Sequence, residues 1–290
     1  MSRLKTLKTY KLYIGGKFPR SESGRTYAVT DAQGDHLANA PRATRKDARD
    51  AVAAARKAQS GWAGANAYLR GQILYRAAEM LEGRFAQYVE ELVEAQGIDL
   101  DDAAEVVAAS IDRLIHYAGW TDKAAALVSS NNDVAGPYSN VTSSEPVGVV
   151  GVVAPQDDPL YGLVDAVGAA IATGNAVVVL TSEKSPLPAL SLAEVLATSD
   201  LPGGVVNVLS GPVAEVAPWI ASHDDVNGLD LQGVEDAALA KELEAAAAET
   251  LKRVRRPGLD EDSLDRIKNW MQYKTTWQPA AMPAGVGGGY

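Results

Sequence analysis

Between Pro146 and Pro155 the chain reads Val147-Gly-Val-Val-Gly-Val-Val-Ala154, with no polar side chain in it. That run decides most of what the chain can become. A strand with one wet face alternates apolar with polar residues, whereas a run apolar at every position is covered on both faces. Two shorter runs of the same kind follow, Ala176 to Leu180 and Val205 to Leu209, with helical segments at about 160–172 and 187–198 between them. Strands and helices in that alternation predict an α/β fold, a parallel sheet joined by right-handed crossovers in a Rossmann-like layer. A chain of 290 residues buries roughly 75% of its unfolded surface, so such a core needs no staple.

The first half is organised differently. Leu12 to Ile14 and Thr26 to Val29 read as paired strands around Gly15-Gly16 and a polar turn at Ser21 to Gly24. Thr44 and Asp47 have the spacing of a capping box, with Asp in place of the usual Glu, and predict a helix running towards Trp62. A second helix is predicted from about Tyr68 to Gln96, closed by Gly97; a third follows Leu100, with Ile111, Leu114, Ile115 and Ala118 on its core stripe. Near the other end, a helix from about Glu235 to Arg253 is halted by Pro257-Gly258. Its cluster Lys252-Arg253 and Arg255-Arg256 reads first as a charge cap at the helix end and second as an anion or partner site. Trp270 to Trp277 alternates again and reads as a strand with no following hairpin partner, pairing beside Tyr138 to Ser144 being the alternative within its own chain, before a glycine-rich tail.

Composition removes several classes of function. A net charge of -10 opposes a nucleic-acid partner, whose phosphates need clustered cations. The absence of cysteine removes disulfides, thiolate metal sites and thiol nucleophiles. His36, His116 and His223 have no partner ligand at metal spacing, and no metal is expected. The pairs Asp157-Asp158 and Asp224-Asp225 fall where turns or helix starts belong. No apolar run approaches the ~20 residues needed to span a bilayer, and a cytoplasmic protein is the expectation.

Taken along its length, the chain resembles the aldehyde dehydrogenase superfamily. The resemblance is carried by Leu12-Tyr-Ile-Gly-Gly-Lys17, by Asp47 to Trp62, and by His116-Tyr-Ala-Gly-Trp120. Its most specific segment is Glu145-Pro-Val-Gly-Val-Val-Gly-Val-Val-Ala-Pro155, followed by Gly174-Asn175, Ser182-Glu183 and Leu201 to Leu209. Tyr273-Lys-Thr-Thr-Trp277 resembles the family's terminal assembly strand. The resemblance implies a degenerate nucleotide-binding-type domain over 1–132 and 148–257, oligomerisation strands over 133–147 and 266–280, and a flexible tail over 281–290. It also implies assembly contacts at Tyr138, Val141, Met271, Tyr273, Thr275 and Trp277.

The departures from the family pattern bear on function. Between about Leu251 and Leu264, where the family's substrate domain belongs with its nucleophilic cysteine and its glutamate base, the chain passes almost directly to the terminal strand. Asp157 stands for the asparagine whose amide would stabilise an oxyanion; an ionised carboxylate only accepts hydrogen bonds. Leu180 stands for the lysine that contacts the adenosine ribose, and Gln232-Gly233-Val234 for the cofactor-loop Thr-Gly-Ser. Pro155, Leu180, Glu183, Gly211 and Gly233 are therefore degenerate cofactor positions, and no bound NAD(P) is expected. A thiol-free module of this kind is similar to the second module of the bipartite family-sixteen aldehyde dehydrogenases. The expectation is a non-catalytic scaffold or partner subunit, pairing with a catalytic aldehyde dehydrogenase subunit or with itself. The alternative is an NAD(P)-binding regulatory module without chemistry of its own.

Overall fold

The three apolar runs lie side by side and parallel in the computed structural model, which describes residues 8–256 and 263–280. In chain order the elements are β1 (Thr26–Thr30), β2 (His36–Pro41), α1 (Arg45–Gly64), α2 (Ala67–Glu82), α3 (Phe85–Gln96), α4 (Leu100–Trp120), β3 (Ser130–Asn132) and β4 (Tyr138–Pro146). They continue with β5 (Val149–Val153), α5 (Tyr161–Ala172), β6 (Ala176–Leu180), α6 (Leu187–Ala197), β7 (Val206–Leu209) and α7 (Val213–Ala221). The last are β8 (Gly228–Asp230), α8 (Ala237–Ala248), β9 (Arg253–Arg255), α9 (Ser263–Asn269) and β10 (Met271–Pro279). The main sheet has five strands in the order β7-β6-β5-β8-β9, every neighbouring pair parallel.

Its two faces explain why the strands read as continuously apolar. Val150, Val152, Val177, Val179, Val206 and Val208 point into a layer built from α2 to α6. Val149, Val153, Val178, Leu180 and Leu209 point the other way, against α1, α7 and α8. Buried asparagines tie the start of the sheet to its surroundings. Asn175 accepts from Gly148 N–H at 2.8 Å and donates to the carbonyls of Ala170 and Trp270 at 3.0 and 2.9 Å. Asn207 accepts from Gly15 N–H at 2.9 Å and donates to Gly204 O at 2.7 Å.

Local signals held where they were local. Thr44 and Asp47 form the capping box of α1, and the Asp47 carboxylate also accepts from Ser21 Oγ and Glu22 N–H at 3.0 Å each. Gly97 closes α3 with φ 68°, a left-handed conformation that suits glycine.

Five expectations are corrected. Leu12 to Ile14 does not pair with Thr26 to Val29: Tyr13 bridges Val208, and β1 pairs instead with β2. The predicted helix 68–96 is broken at Gly83 and Arg84, which lets α2 and α3 bury separate stripes, Ile73 to Leu81 and Tyr88 to Leu92. Ile115 lies at the exposed edge of α4 rather than in its core stripe. Helix α8 stops at Ala248; Leu251 takes φ 54°, and Arg253–Arg255 joins the sheet as a strand beside β8. The basic cluster is thus no simple helix cap: Arg253 and Arg255 lie in β9, while Arg256 pairs with Glu244 of α8 at 3.0 Å. Finally, β10 is not without a partner in its own chain: it takes the alternative and pairs along its whole length with β4, giving a second sheet of order β10-β4-β3. The Pro257-Gly258 stop and the 281–290 tail lie outside the described residues.

One buried carboxyl makes a pH-dependent prediction. Glu91 of α3 accepts from Gln87 Nε2 and from Ser191 Oγ of α6, each at 2.9 Å, through the same oxygen. Its other oxygen is buried with no hydrogen-bond partner among the described residues. Burial pushes its carboxyl above the ordinary range, opposed by the Gln87 and Ser191 hydrogen bonds. A carboxyl raised on folding takes up a proton, so its stabilising contribution is complete below about pH 4.3 and is lost as pH rises through the folded value. Glu91→Gln is expected to raise stability at pH 7 by on the order of 1 kcal/mol. Urea denaturation across pH should show that gain vanishing towards pH 4; a gain independent of pH would contradict the assignment.

Candidate functional site

In an open parallel sheet, ligands bind beyond the carboxyl ends of the strands, where the strand order reverses. Here the order reverses between β5 and β8. That gap is closed by the chain itself: Gly233 N–H donates to Val153 O at 3.1 Å. A Cβ at Gly233 would meet Ala154 O at 1.8 Å, so only glycine allows this approach.

Beside it opens a cleft of about 660 Å³, lined among others by Tyr27, Gln156, Glu183, Lys184, Glu235 and Leu239. Glu183 reaches it from the β6–α6 loop, and its Oε2 accepts from Val213 N–H at 3.0 Å. A carboxylate thereby occupies the first amide of α7, the partially positive helix end. Gln156 folds inward, donating to Ala154 O at 2.8 Å and accepting from Glu183 N–H at 2.9 Å. Lys184 bridges Glu235 at 3.1 Å and Asp157 at 3.4 Å, and these hydrogen bonds hold its ammonium above the ordinary lysine value. Burial, and then the Glu183 carboxylate, raise the Tyr27 hydroxyl above its usual value.

Of the degenerate cofactor positions, Glu183 and Gly233 line this cleft. Pro155, Leu180 and Gly211 do not: Leu180 is fully buried in the α1/α7 layer, Pro155 packs on the start of α5, and Gly211 lies against Ala43. Asp157 is exposed, its carbonyl accepting from Gln96 Nε2 at 2.9 Å. Asp158 lies beside Gly162 at the start of α5, and burial raises its carboxyl above the ordinary value. Sequence reasoning missed Tyr27, Lys184 and Glu235, since nothing local marks residues that meet only across the folded cleft.

Behind the loop runs a buried chain of charges. Arg255 pairs with Asp230 at 3.2 Å, both almost wholly buried. Arg255 Nη1 and Arg266 Nη2 both donate to Gln232 Oε1, at 3.1 and 2.9 Å. Arg266 Nη1 lies 2.6 Å from Asp165 Oδ2, and Tyr117 Oη donates to Asp165 Oδ1 at 2.6 Å. Gln232 is therefore spent on fastening α9 to β9, and Arg266 carries the link on to Asp165 of α5.

The second sheet carries the exposed aromatics. In an antiparallel pair, directly opposed residues share a face. The register places Tyr138, Tyr273, Thr275 and Trp277 on one face and Val141 on the other. Tyr138, Tyr273 and Trp277 are 49, 58 and 59% exposed, and the rings of Tyr138 and Trp277 meet edge to face at 6.2 Å. Met271, at the body end of the strand, is buried. Thr275 Oγ1 and Thr142 Oγ1 lie 2.9 Å apart on the aromatic face, and Lys274 pairs with Glu145 at 2.9 Å on the opposite one. Among the described residues no three histidine, cysteine, aspartate or glutamate side chains converge as metal ligands. No helix there is long and apolar enough to cross a membrane.

The description of the aldehyde dehydrogenase family matches residues 18–256. Mouse cytosolic 10-formyltetrahydrofolate dehydrogenase is 35% identical over 234 residues, covering 77% of this chain and 25% of its own length. A mitochondrial benzaldehyde dehydrogenase of Antirrhinum majus is 34% identical over 248 residues, 84% of this chain and 46% of its own. An aldehyde dehydrogenase from Bacillus cereus, solved as an NAD+ complex, superposes with TM-score 0.79 at 28% identity, covering 85% of this chain and 50% of that one. The chain spans about half, or less, of the length of the curated relatives it matches. It has the mixed α/β fold of that half of the enzyme, and it belongs to the aldehyde dehydrogenase family.

Proposed function

We propose that this chain is a non-catalytic subunit of the aldehyde dehydrogenase family, assembling with a full-length NAD(P)-dependent member through the β3-β4-β10 sheet. The observation that carries the reading is the exposed aromatic face of that sheet, Tyr138, Tyr273 and Trp277. Aromatic side chains supply much of the binding energy of protein interfaces, and contiguous exposed patches usually meet a partner. The chemistry points the same way. No cysteine is present, and only residues 257–262 separate the last described residue after β9 from α9. A thiohemiacetal needs a thiolate and a base to activate water, and this chain offers neither at the positions the resemblance assigns.

The cleft does not fit a dinucleotide. Glu183 already holds the α7 amide that would face a phosphate. Glu235 and Asp236 add negative charge around Lys184, and Leu180 is buried. These features support the assembly reading over a cofactor-sensing module. The test is co-expression with a full-length aldehyde dehydrogenase followed by native mass measurement. A defined mixed complex, lost when Tyr273 and Trp277 are both changed to Ser, is the expected result. A chain that stays apart from the enzyme at every concentration would sink the reading.

A further inference from the structure

The cleft beside Glu183 is rich in carboxylates, but a second cleft on the same chain carries the opposite sign. It has a volume of about 830 Å³ and lies between the first turns of α1 and the last turn of α7. Arg45, Lys46 and Arg49 form one wall, and Trp219 and His223 stand on the other. Asp224 is the one acid lining it among the described residues, and that aspartate also acts on the neighbouring Lys252, whose ammonium it favours against the cost of burial. In a chain with a net charge of -10, three cations around one cleft are a local reversal of sign that draws anions to it.

Those cations are badly placed unless an anion joins them. The first turn of a helix is its partially positive end and favours carboxylates. Helix α1 has one acid in that turn, Asp47. It is buried and already accepts from Ser21 Oγ, Glu22 N–H and Thr44 N–H at 3.0, 3.0 and 2.8 Å. Arg45 and Arg49, four residues apart, share a helix face. Arg45 makes no hydrogen bond or ion pair with any described residue. Lys46 and Arg49 meet exposed partners, Glu22 at 3.4 Å and the adjacent Asp50 at 2.8 Å. Such surface pairs hold weakly, which leaves both cations able to turn to a ligand.

The facing wall supplies more than a bare anion needs. Trp219 is half-buried, packed on the core layer beneath α7, and the rest of its ring borders the cleft. Asp225 N–H donates to His223 Nδ1 at 3.1 Å, so the neutral ring carries its proton on Nε2 as a further donor. We propose that this cleft binds a small organic molecule carrying a terminal diphosphate or two phosphate monoesters, with its phosphates on Arg45 and Arg49 and its uncharged body against Trp219. A guanidinium fork matches two phosphate oxygens at once, and a planar base or the C–H face of a sugar ring fits against an indole. A nucleoside diphosphate and a sugar bisphosphate share this chemistry. NAD+ and NADP+ have neither a terminal diphosphate nor a pair of monoesters, so they fall outside the class. The site is separate from the β3-β4-β10 sheet and does not rest on the assembly role proposed above.

Calorimetric titration of the full chain with adenosine diphosphate, fructose bisphosphate and inorganic pyrophosphate tests the proposal, in about 0.1 M salt so that long-range attraction is screened. One saturable site for at least one organic ligand, at least about tenfold tighter than for pyrophosphate, is the expected result. Whichever organic ligand binds more tightly identifies the source. Arg45→Ser with Arg49→Ser should weaken that binding by about 30-fold or more. Both arginines are exposed, so the Tm of the unliganded chain should hardly move. Trp219→Leu should bring the organic ligand down to the affinity of pyrophosphate and leave pyrophosphate itself unchanged. No saturable heat with either organic ligand overturns the proposal. So does pyrophosphate binding as tightly as they do, or binding that survives the loss of both arginines or of the indole.

Discussion

Asp165→Ala is expected to cost about 3–5 kcal/mol of folding stability, the largest loss from any single substitution considered for this chain. Asp165 sits on α5 and faces Arg266 at 2.6 Å, Tyr117 Oη at 2.6 Å and Arg113 Nε at 3.5 Å. Removing its carboxylate strands the buried Arg266 guanidinium and leaves the Tyr117 hydroxyl without its acceptor. A buried charge deprived of its partner is far more costly than the pair is stabilising. For a domain whose total stability is typically 5–15 kcal/mol, the midpoint of urea denaturation should fall steeply. Asp165→Leu with Arg266→Met should recover much of the loss, because both charges then leave the interior together. Hydrogen exchange in Asp165→Ala should rise first in α9 and β10, which Arg266 fastens to the body. A loss under about 1 kcal/mol would mean that solvent already reaches the network.

That network also marks where sequence reading stops. The parallel sheet was legible because Val147 to Ala154 and Ala176 to Leu180 are apolar at every position, which only double coverage explains. The start of α1 and the end of α3 were legible because Thr44, Asp47 and Gly97 act on amides and carbonyls within a few residues. The partner of β10 was legible only as an alternative, Tyr138 to Ser144, because Thr275 meets Thr142 across 133 residues and an alternating strand carries no record of which strand it joins. Strands β8 and β9 escaped for a different reason. Each has only three residues, too few for a period, and Arg253–Arg255 looks like the charged end of a helix until Asp230 supplies a buried partner for Arg255.

The site divided along the same line. The resemblance pointed to Asp157, Leu180 and Gln232 as departures from the family pattern, but not to what those residues do. Gln232 holds two arginines together, and Leu180 joins the core. Glu183 sits in a segment that matches the family pattern, yet here it caps α7. Its role follows from Val213 N–H, thirty residues away, and no motif encodes that distance. Val141, paired with Thr276, lies on the face opposite Tyr273 and Trp277, because one residue of register sends a side chain to the other face of a sheet.

The second large expected effect, which follows from the proposed function, is an absence of nicotinamide chemistry. A phosphate brought within about 5 Å of the Glu183 carboxylate meets a repulsion of roughly 3 kcal/mol at an effective dielectric near 20. That alone lowers affinity by about 100-fold, before the added charge of Glu235 and Asp236 is counted. Calorimetric titration with NAD+ and with NADP+ to millimolar concentration is therefore expected to show no saturable heat. Without a cysteine to attack the carbonyl, no acyl-enzyme should form even if a dinucleotide were forced into the cleft.

The most direct test of the whole account combines these in one vessel. The purified full chain is incubated with NAD+ and an aldehyde while nicotinamide absorbance and intact protein mass are followed. The expected outcome is a flat trace and an unchanged mass, with oxidation appearing only when a full-length aldehyde dehydrogenase is added. Aldehyde-dependent formation of reduced nicotinamide by the chain alone, accompanied by a covalent mass gain, would contradict it.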